Sequence, residues 1–221
     1  MISPNKIIGS LVFRTREALN KNNAFLEKIK SYNFYDLVSD KGNVHLWHYP
    51  GTPEEISEKF QQMQDIRTSK YKYPAVFNYQ NVKQQFGVNK GFINMTFNLA
   101  FVVPTDSEWG TPTREKLVFD MILRDIYAEF INQIKRFNVV RKSRIINVPM
   151  DNIKHDRYDV FTTGKSITSA LDYLYCDFMD AIQIINLNLS IYSEICDEDI
   201  KQIEMESEKV FDTKTTKKTK K

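Results

Sequence analysis

The chain has 221 residues, 42% hydrophobic and 27% charged, the balance of an ordinary soluble domain with a sizeable core. No apolar run is long enough to span a bilayer, and basic residues and Asn interrupt the N-terminal stretch before any signal-peptide cleavage pattern. Cys176 and Cys196 form no CxxC pair, so an intracellular, cofactor-free product with reduced structural thiols is expected rather than a disulfide scaffold.

Ser3-Pro4 supplies an N-cap followed by proline at the first helical position. Ile8, Leu11, Val12, Leu19, Leu26 and Ile29 then recur near helical spacing, which predicts one long amphipathic helix over residues 4–30. "GNVHLWHYPG" predicts a short strand or hairpin arm. Thr52-Pro53-Glu54-Glu55 has the composition of a capping box and opens a short helix to about residue 64. "YPAVFNYQ" (73–80) predicts a strand, "VKQQFGVNKG" a polar connection, and "FINMTFNLAFVV" (92–103) a second strand. In the latter, Ile93, Met95, Phe97, Leu99, Phe101 and Val103 lie opposite Asn94, Thr96, Asn98, Ala100 and Val102.

"PTDSEWGTP" reads as a loop, after which Thr111-Pro112 starts a helix with Phe119, Leu123, Ile126, Phe130, Ile134 and Phe137 along one stripe. Residues 138–148 predict another strand, and 149–168 an irregular segment that carries "HDRYD". The last strand alternates Ile185, Leu187, Leu189 and Ile191 with Asn186, Asn188 and Ser190, and ends near Tyr192. Ile182 and Ile184 are out of phase with Ile185, which predicts a bulge that reverses the buried side. The expected architecture is α+β: a mostly antiparallel sheet of four to five strands, helices packed on one face, and a long N-terminal helix. One domain over residues 1–192 is expected, with 1–51 as its N-terminal helical extension and 193–221 as a charged, flexible tail.

Catalytic patterns are weak. His45 and His48 form an H-x-x-H, but in a strand the two rings point to opposite faces and no third ligand stands nearby. His155-Asp156 is a pair of sequence neighbours with no GxSxG or reactive cysteine to serve; a small hydrolase built on it ranks last among the functions considered. The seven glycines do not cluster into a phosphate-cradling loop. The predicted strands contain no acids, so two-metal hydrolysis has no ligands where it needs them. No catalytic residue, metal or cofactor is expected.

Charge is unevenly spread. Residues 66–105 contain no acid and carry Arg67, Lys70, Lys72, Lys83 and Lys90; residues 130–150 contain none and carry Lys135, Arg136, Arg141, Lys142 and Arg144. Residues 194–208 hold Glu194, Asp197, Glu198, Asp199, Glu204, Glu206 and Glu208 against Lys201 alone. The acid-free segments, with Lys83, Lys90, Lys135, Arg136, Arg141, Lys142 and Arg144, fit a surface facing DNA, a solvated basic face, or a dock for an acidic segment such as 194–208 of a neighbouring copy. Trp109 fits an interface anchor or a ring folded back on its own core.

The order of "YPAVF", a long strand running into "VPTD", a loop, a long helix, "HDRYD" and "DAIQIINLNLSI" resembles head–tail connector and tail-terminator-like proteins of tailed bacteriophages, especially those of Bacteroides-type hosts. The similarity covers about residues 52–192. The N-terminal helix and charged tail exceed the simpler terminator pattern, and Tyr158-Asp159-Val160 stands where Tyr-Trp-Gly is expected. The resemblance implies a non-catalytic ring of six or twelve copies, placed between portal and tail and lining the DNA channel. Its partners would be copies of itself, the portal or neighbouring connector and tail proteins, and the phage DNA passing through, with no membrane. Its location would be the virion, after synthesis in the host cytoplasm.

A sheet face of Asn94, Thr96, Asn98, Asn186, Asn188 and Ser190 carries no charge, so covering it with another subunit costs little desolvation. Those residues, with Trp109, Arg157 and Tyr158, are the candidate subunit contacts; simple exposure to water is the competing explanation for the polar row. A DNA-binding accessory protein that uses the basic segments and forms no ring is the alternative function.

Overall fold

The computed structural model describes residues 2–32, 37–39, 42–63, 72–86, 91–140, 153–158 and 178–210. Its N-terminal part is two helices where one was predicted: α1 (Pro4–Leu19) and α2 (Asn23–Lys30). The break falls on two asparagines, whose side chains compete with helical bonding for backbone groups. Asn22 caps α2 by accepting from Phe25 N, while the Asn20 amide donates to Val44 O and accepts from Val44 N. The chain is thereby tied to the segment before β1 (Trp47–Gly51).

The predicted capping box forms in full at α3 (Pro53–Gln62): Glu55 N donates to Thr52 Oγ1 at 3.2 Å, and Thr52 N to Glu55 Oε2 at 2.8 Å. β2 (Ala75–Phe86) runs beyond the predicted strand into the polar connection, and β3 (Phe92–Pro104) matches its prediction. α4 joins three stretches: α-helical at Thr111–Arg114, π-helical at Glu115–Leu123, and α-helical at Arg124–Arg136. The π-helical stretch buries Val118, Phe119, Ile122 and Leu123. β4 (Ile153–Tyr158), β5 (Met179–Tyr192) and α5 (Asp197–Glu208) complete the fold.

The sheet order is β1-β2-β3-β5-β4, with β1 parallel to β2 and every other pair antiparallel. This is the expected α+β class with a mostly antiparallel sheet and a helical N-terminus. Phe101 meets Tyr127 and Phe130 of α4 edge-on, at 6.1 and 5.1 Å. Helices α1 and α4 therefore lie on the side of Ile93, Met95, Phe97, Leu99 and Phe101. The short α3 adds cover to the opposite side at the β1–β2 end, where Phe60 packs on Tyr49 and Phe77. That is why Ala100 and Val102, nominally on the polar side of β3, are buried.

Two further elements, the "HDRYD" segment and the tail, differ from expectation. The sequence reads "HDRYD" as part of an irregular segment, but His155–Tyr158 lie on β4, paired with Met179–Ile182 of β5. Of the strand predicted over 138–148, Val140 bridges Ile191, and residues from 141 onward lie outside the described residues, as does Cys176. Cys196 is a free, exposed thiol whose sulfur caps α5 by accepting from Asp199 N. The tail is also not free over 197–210. Ile203, Glu206, Ser207 and Val210 recur at helical spacing and are buried.

That face of α5 packs on α1. Glu206 accepts from Ser10 Oγ and from Arg14 Nε, the latter at 2.8 Å, and Lys6 Nζ lies 2.6 Å from Glu204. Gly9 makes the close approach possible, because a Cβ there would lie 2.8 Å from Ser207 Cβ and 3.3 Å from His48 Nδ1. The later part of the acidic segment thus docks on its own chain's first helix through Glu204 and Glu206.

The bulge in β5 has a defined place. Phe97 pairs with Leu187 and Leu99 with Ile184, so two steps on β3 face three on β5. The extra residue is accommodated around Ile185 and Asn186, and Asn186 adopts φ 59°, a left-handed conformation that Asn tolerates and β-branched residues do not. Its effect corrects the predicted one. Ile182 and Ile184 before the bulge and Leu187, Leu189 and Ile191 after it all point to the same buried layer. The bulge preserves the buried side by absorbing the change of phase.

Two outcomes are expected. Asn186→Val destabilises the fold by about 1–2 kcal/mol in urea unfolding, while Asn186→Gly leaves the midpoint within error. His48 is fully buried, and burial, followed by the charge of Lys59, lowers its pKa to about 3. Between an unfolded value near 6.5 and that folded value, only the unfolded chain takes up the proton. Stability therefore falls as pH drops through about 6 toward 4, more steeply in the wild type than in His48→Leu when urea midpoints are compared across that range.

Candidate interaction surface

All six polar residues singled out on β3 and β5 come together on one face. Asn94 stands opposite Ser190 and Thr96 opposite Asn188, as cross-strand pairs. Ser190 Oγ donates to Asn94 Oδ1 at 2.6 Å, Thr96 Oγ1 to Asn188 Oδ1 at 2.6 Å, and Asn186 N to Asn98 Oδ1 at 2.8 Å. The row is a ladder of three internal hydrogen bonds that fixes the orientation of each amide. Asn98 also braces the bulge from across the strand, so the same row shapes β5 and presents itself outward.

The surroundings of the ladder follow from register. Tyr79, Lys83 and Gln85 of β2 stand opposite Asn98, Thr96 and Asn94 on the same face. At the far end Phe92 and Tyr192 pack together, with ring centroids 4.9 Å apart and Tyr192 41% exposed. Asn186 and Asn188 are exposed and the other four ladder residues are half-buried or close to it. The result is a flat, open platform with aromatic rings at its ends and amides and hydroxyls between.

The remaining candidates do not join it. Trp109 folds back, its ring edge-on to Tyr32 at 6.1 Å and packed against the core. Arg157 and Tyr158 lie on β4, paired through the backbone with Asp180 and Met179; their side chains lie outside the described set. Lys83 is exposed on the platform, whereas Lys135 and Arg136 sit in the last turn of α4, on the other side of the sheet. Arg136 Nη1 is 3.9 Å from Glu129. Lys72 is buried, with its ammonium 5.9 Å from the Phe60 ring, so it belongs to the core and not to a basic surface. Lys90, Arg141, Lys142 and Arg144 lie outside the described residues.

Sequence reasoning missed the strongest electrostatic feature. Asp180 opens β5 with a fully buried carboxylate, and Arg114 from the first turn of α4 donates Nε to Oδ1 at 2.9 Å and to Oδ2 at 3.0 Å, with Nη2 also on Oδ1. The buried acid between Met179 and Ala181 is a visible oddity in an apolar run. Its partner is 66 residues away in sequence, which no local pattern reveals. Nearby, Tyr32 donates its hydroxyl to Pro104 O, and burial followed by the charges of Asp180 and Asp106 raises its pKa. These groups lock α4 and the residue 104–110 loop onto the sheet ends.

The three histidines are all engaged in packing. His45 stacks on Trp47 at 5.5 Å, His48 is enclosed at the α1–β1–α5 junction, and exposed His155 stacks on Phe119 at 5.1 Å. Among the described residues no group of three or more His, Cys, Asp or Glu could hold a metal ion. A half-open cavity of about 210 Å³ lies under the apolar side of β3 and β5, walled mainly by Ile2, Ile93, Met95, Ile191, Ile195 and Ile200. Tyr192, Ser193 and Glu194 complete its lining. Compared with models of known protein families, with curated proteins and with solved structures, the chain matches none.

Arg114→Ala strands the buried Asp180 carboxylate and is expected to cost about 3–5 kcal/mol in chemical unfolding. Adding Asp180→Asn removes the stranded charge and recovers part of that loss.

Proposed function

We propose that the protein is a structural subunit that associates with copies of itself into a ring of the phage head–tail connector type. The observation that carries this is the open platform. The ladder's polar groups are uncharged and already half-satisfied by one another, so covering them with a second subunit costs little desolvation, and Lys83 beside them is the charge that a partner has to pair. A rigid five-stranded sheet holds the platform, which suits a repeated contact of fixed angle. The order of elements that resembles connector proteins supports the same conclusion.

The finer assignments belong to the same proposal. The ring would stand between portal and tail in the virion, contact neighbouring connector or tail proteins, and let DNA pass through its lumen. No helix among the described residues is long and apolar enough to cross a membrane. The competing DNA-binding accessory function draws less support, because the described basic candidates divide between the two sides of the sheet and Lys72 is consumed by the core.

Native mass of the full-length protein across a concentration series tests the proposal. A discrete species of six or twelve copies is expected. A monomer at every concentration, retained on DNA in a salt-dependent way, would replace it with the accessory function.

A further inference from the structure

We infer that the platform docks the acidic start of α5 from a second copy, head to tail; this deepens the ring proposal and rests on it. The internal ladder decides what the platform can accept. The Oδ1 atoms of Asn94 and Asn188 each lie 2.6 Å from a hydroxyl oxygen, an O–H···O length and shorter than the roughly 2.9 Å of an amide N–H bond. Asn98 Oδ1 is taken by a backbone N–H. The carbonyl oxygens of three amides are therefore engaged inside the ladder, and their NH₂ groups, two donors each, remain for a partner. Exposed Lys83 adds a positive charge beside Thr96. Beside the exposed Asn186 and Gln85 amides, which donate or accept, the platform offers these donors and one cation, which favours a partner that brings acceptors, and anionic acceptors form the stronger bonds.

The chain carries such a surface on the other side of its own sheet. Glu194, Asp197 and Glu198 are exposed at the start of α5 and form no ion pair among the described residues, whereas Glu204 and Glu206 are held by Lys6 and Arg14. Ile195 and Ile200 of this region wall the cavity beneath Ile93 and Met95, and α5 packs on α1, which places Asp197 and Glu198 with the helical layer, on the side of the sheet opposite to the platform. One copy cannot bring its own two surfaces together, because the sheet lies between them. Two copies can, and the contact is heterologous, leaving a free platform at one end and free acids at the other. Such contacts repeat until they close. DNA phosphate is the other acceptor-rich partner, but phosphate binding draws on several cations, and among the described side chains of β2, β3 and β5 the platform carries Lys83 alone.

The test uses two full-length variants, Lys83→Glu and the double substitution Asp197→Lys/Glu198→Lys, each checked for wild-type circular dichroism. Each alone places like charges across the contact and is expected to weaken self-association by about tenfold or more in sedimentation velocity. Mixed in equal amounts they are expected to associate again as alternating copies, since every contact then joins opposite charges. Variants that associate as the wild type does, or a mixture that stays dissociated, would overturn the inference while leaving the ring proposal standing. A wild type that never associates would overturn both. Loss of salt-sensitive DNA retention in Lys83→Glu, with self-association intact, would assign the platform to nucleic acid instead.

Discussion

The bulge at Ile185 and Asn186 is the constraint on which the two sides of the sheet depend. β5 is the longest strand and the central partner of both β3 and β4. Without an inserted residue, its apolar positions would face the helical layer over only half its length, since a one-residue slip sends every later side chain to the other face. Asn98 supports the insertion by accepting the Asn186 N–H, and Asn186 supplies the left-handed backbone. One local irregularity therefore gives β5 a continuous buried side, and it turns Asn188 and Ser190 outward in line with Asn94 and Thr96. The platform is the outward expression of the device that completes the core.

A second constraint is the C-terminal clasp. α5 returns to α1 at the opposite end of the chain and is held by buried apolar contact, by Glu206 between Ser10 and Arg14, and by close backbone approach at Gly9. Val210 O accepts from His48 N at the outer side of β1, so the end of the described chain also satisfies a strand-edge donor. The acidic run divides into two uses. Glu204 and Glu206 are paired with Lys6 and Arg14, while Glu194, Asp197, Glu198 and Glu208 stay exposed. Net charge, which is only +3 over the whole chain, conceals both.

Much of this was legible in the sequence because it depends on short-range chemistry. Thr52 and Glu55 announce their own capping box, the period-two runs of β3 and β5 show their buried sides, and the stripe from Phe119 to Phe137 marks α4. The six platform residues could be chosen because alternation alone places them on one face. What stayed hidden depends on distant partners. The pairing of Arg114 with Asp180, the docking of α5 on α1 and the strand state of His155–Tyr158 are each set by residues far away in sequence. Trp109 shows the same limit: a loop tryptophan fits an anchor as well as a core ring until Tyr32 is placed beside it. The break at Asn20–Asn22 was readable in principle, since two asparagines in a helical pattern compete for the backbone, but the apolar spacing across it pointed the other way.

The central claim is that the polar platform is covered when the protein assembles. Tyr192 reports on it directly, being 41% exposed and on the platform side of β5. Hydroxyl-radical footprinting of the full-length protein at dilute and concentrated extremes would follow its oxidation. Coverage predicts that Tyr192 oxidises readily when dilute and is protected when concentrated. Equal oxidation in a sample that has demonstrably assembled would contradict it, and would place the subunit contact elsewhere on the molecule.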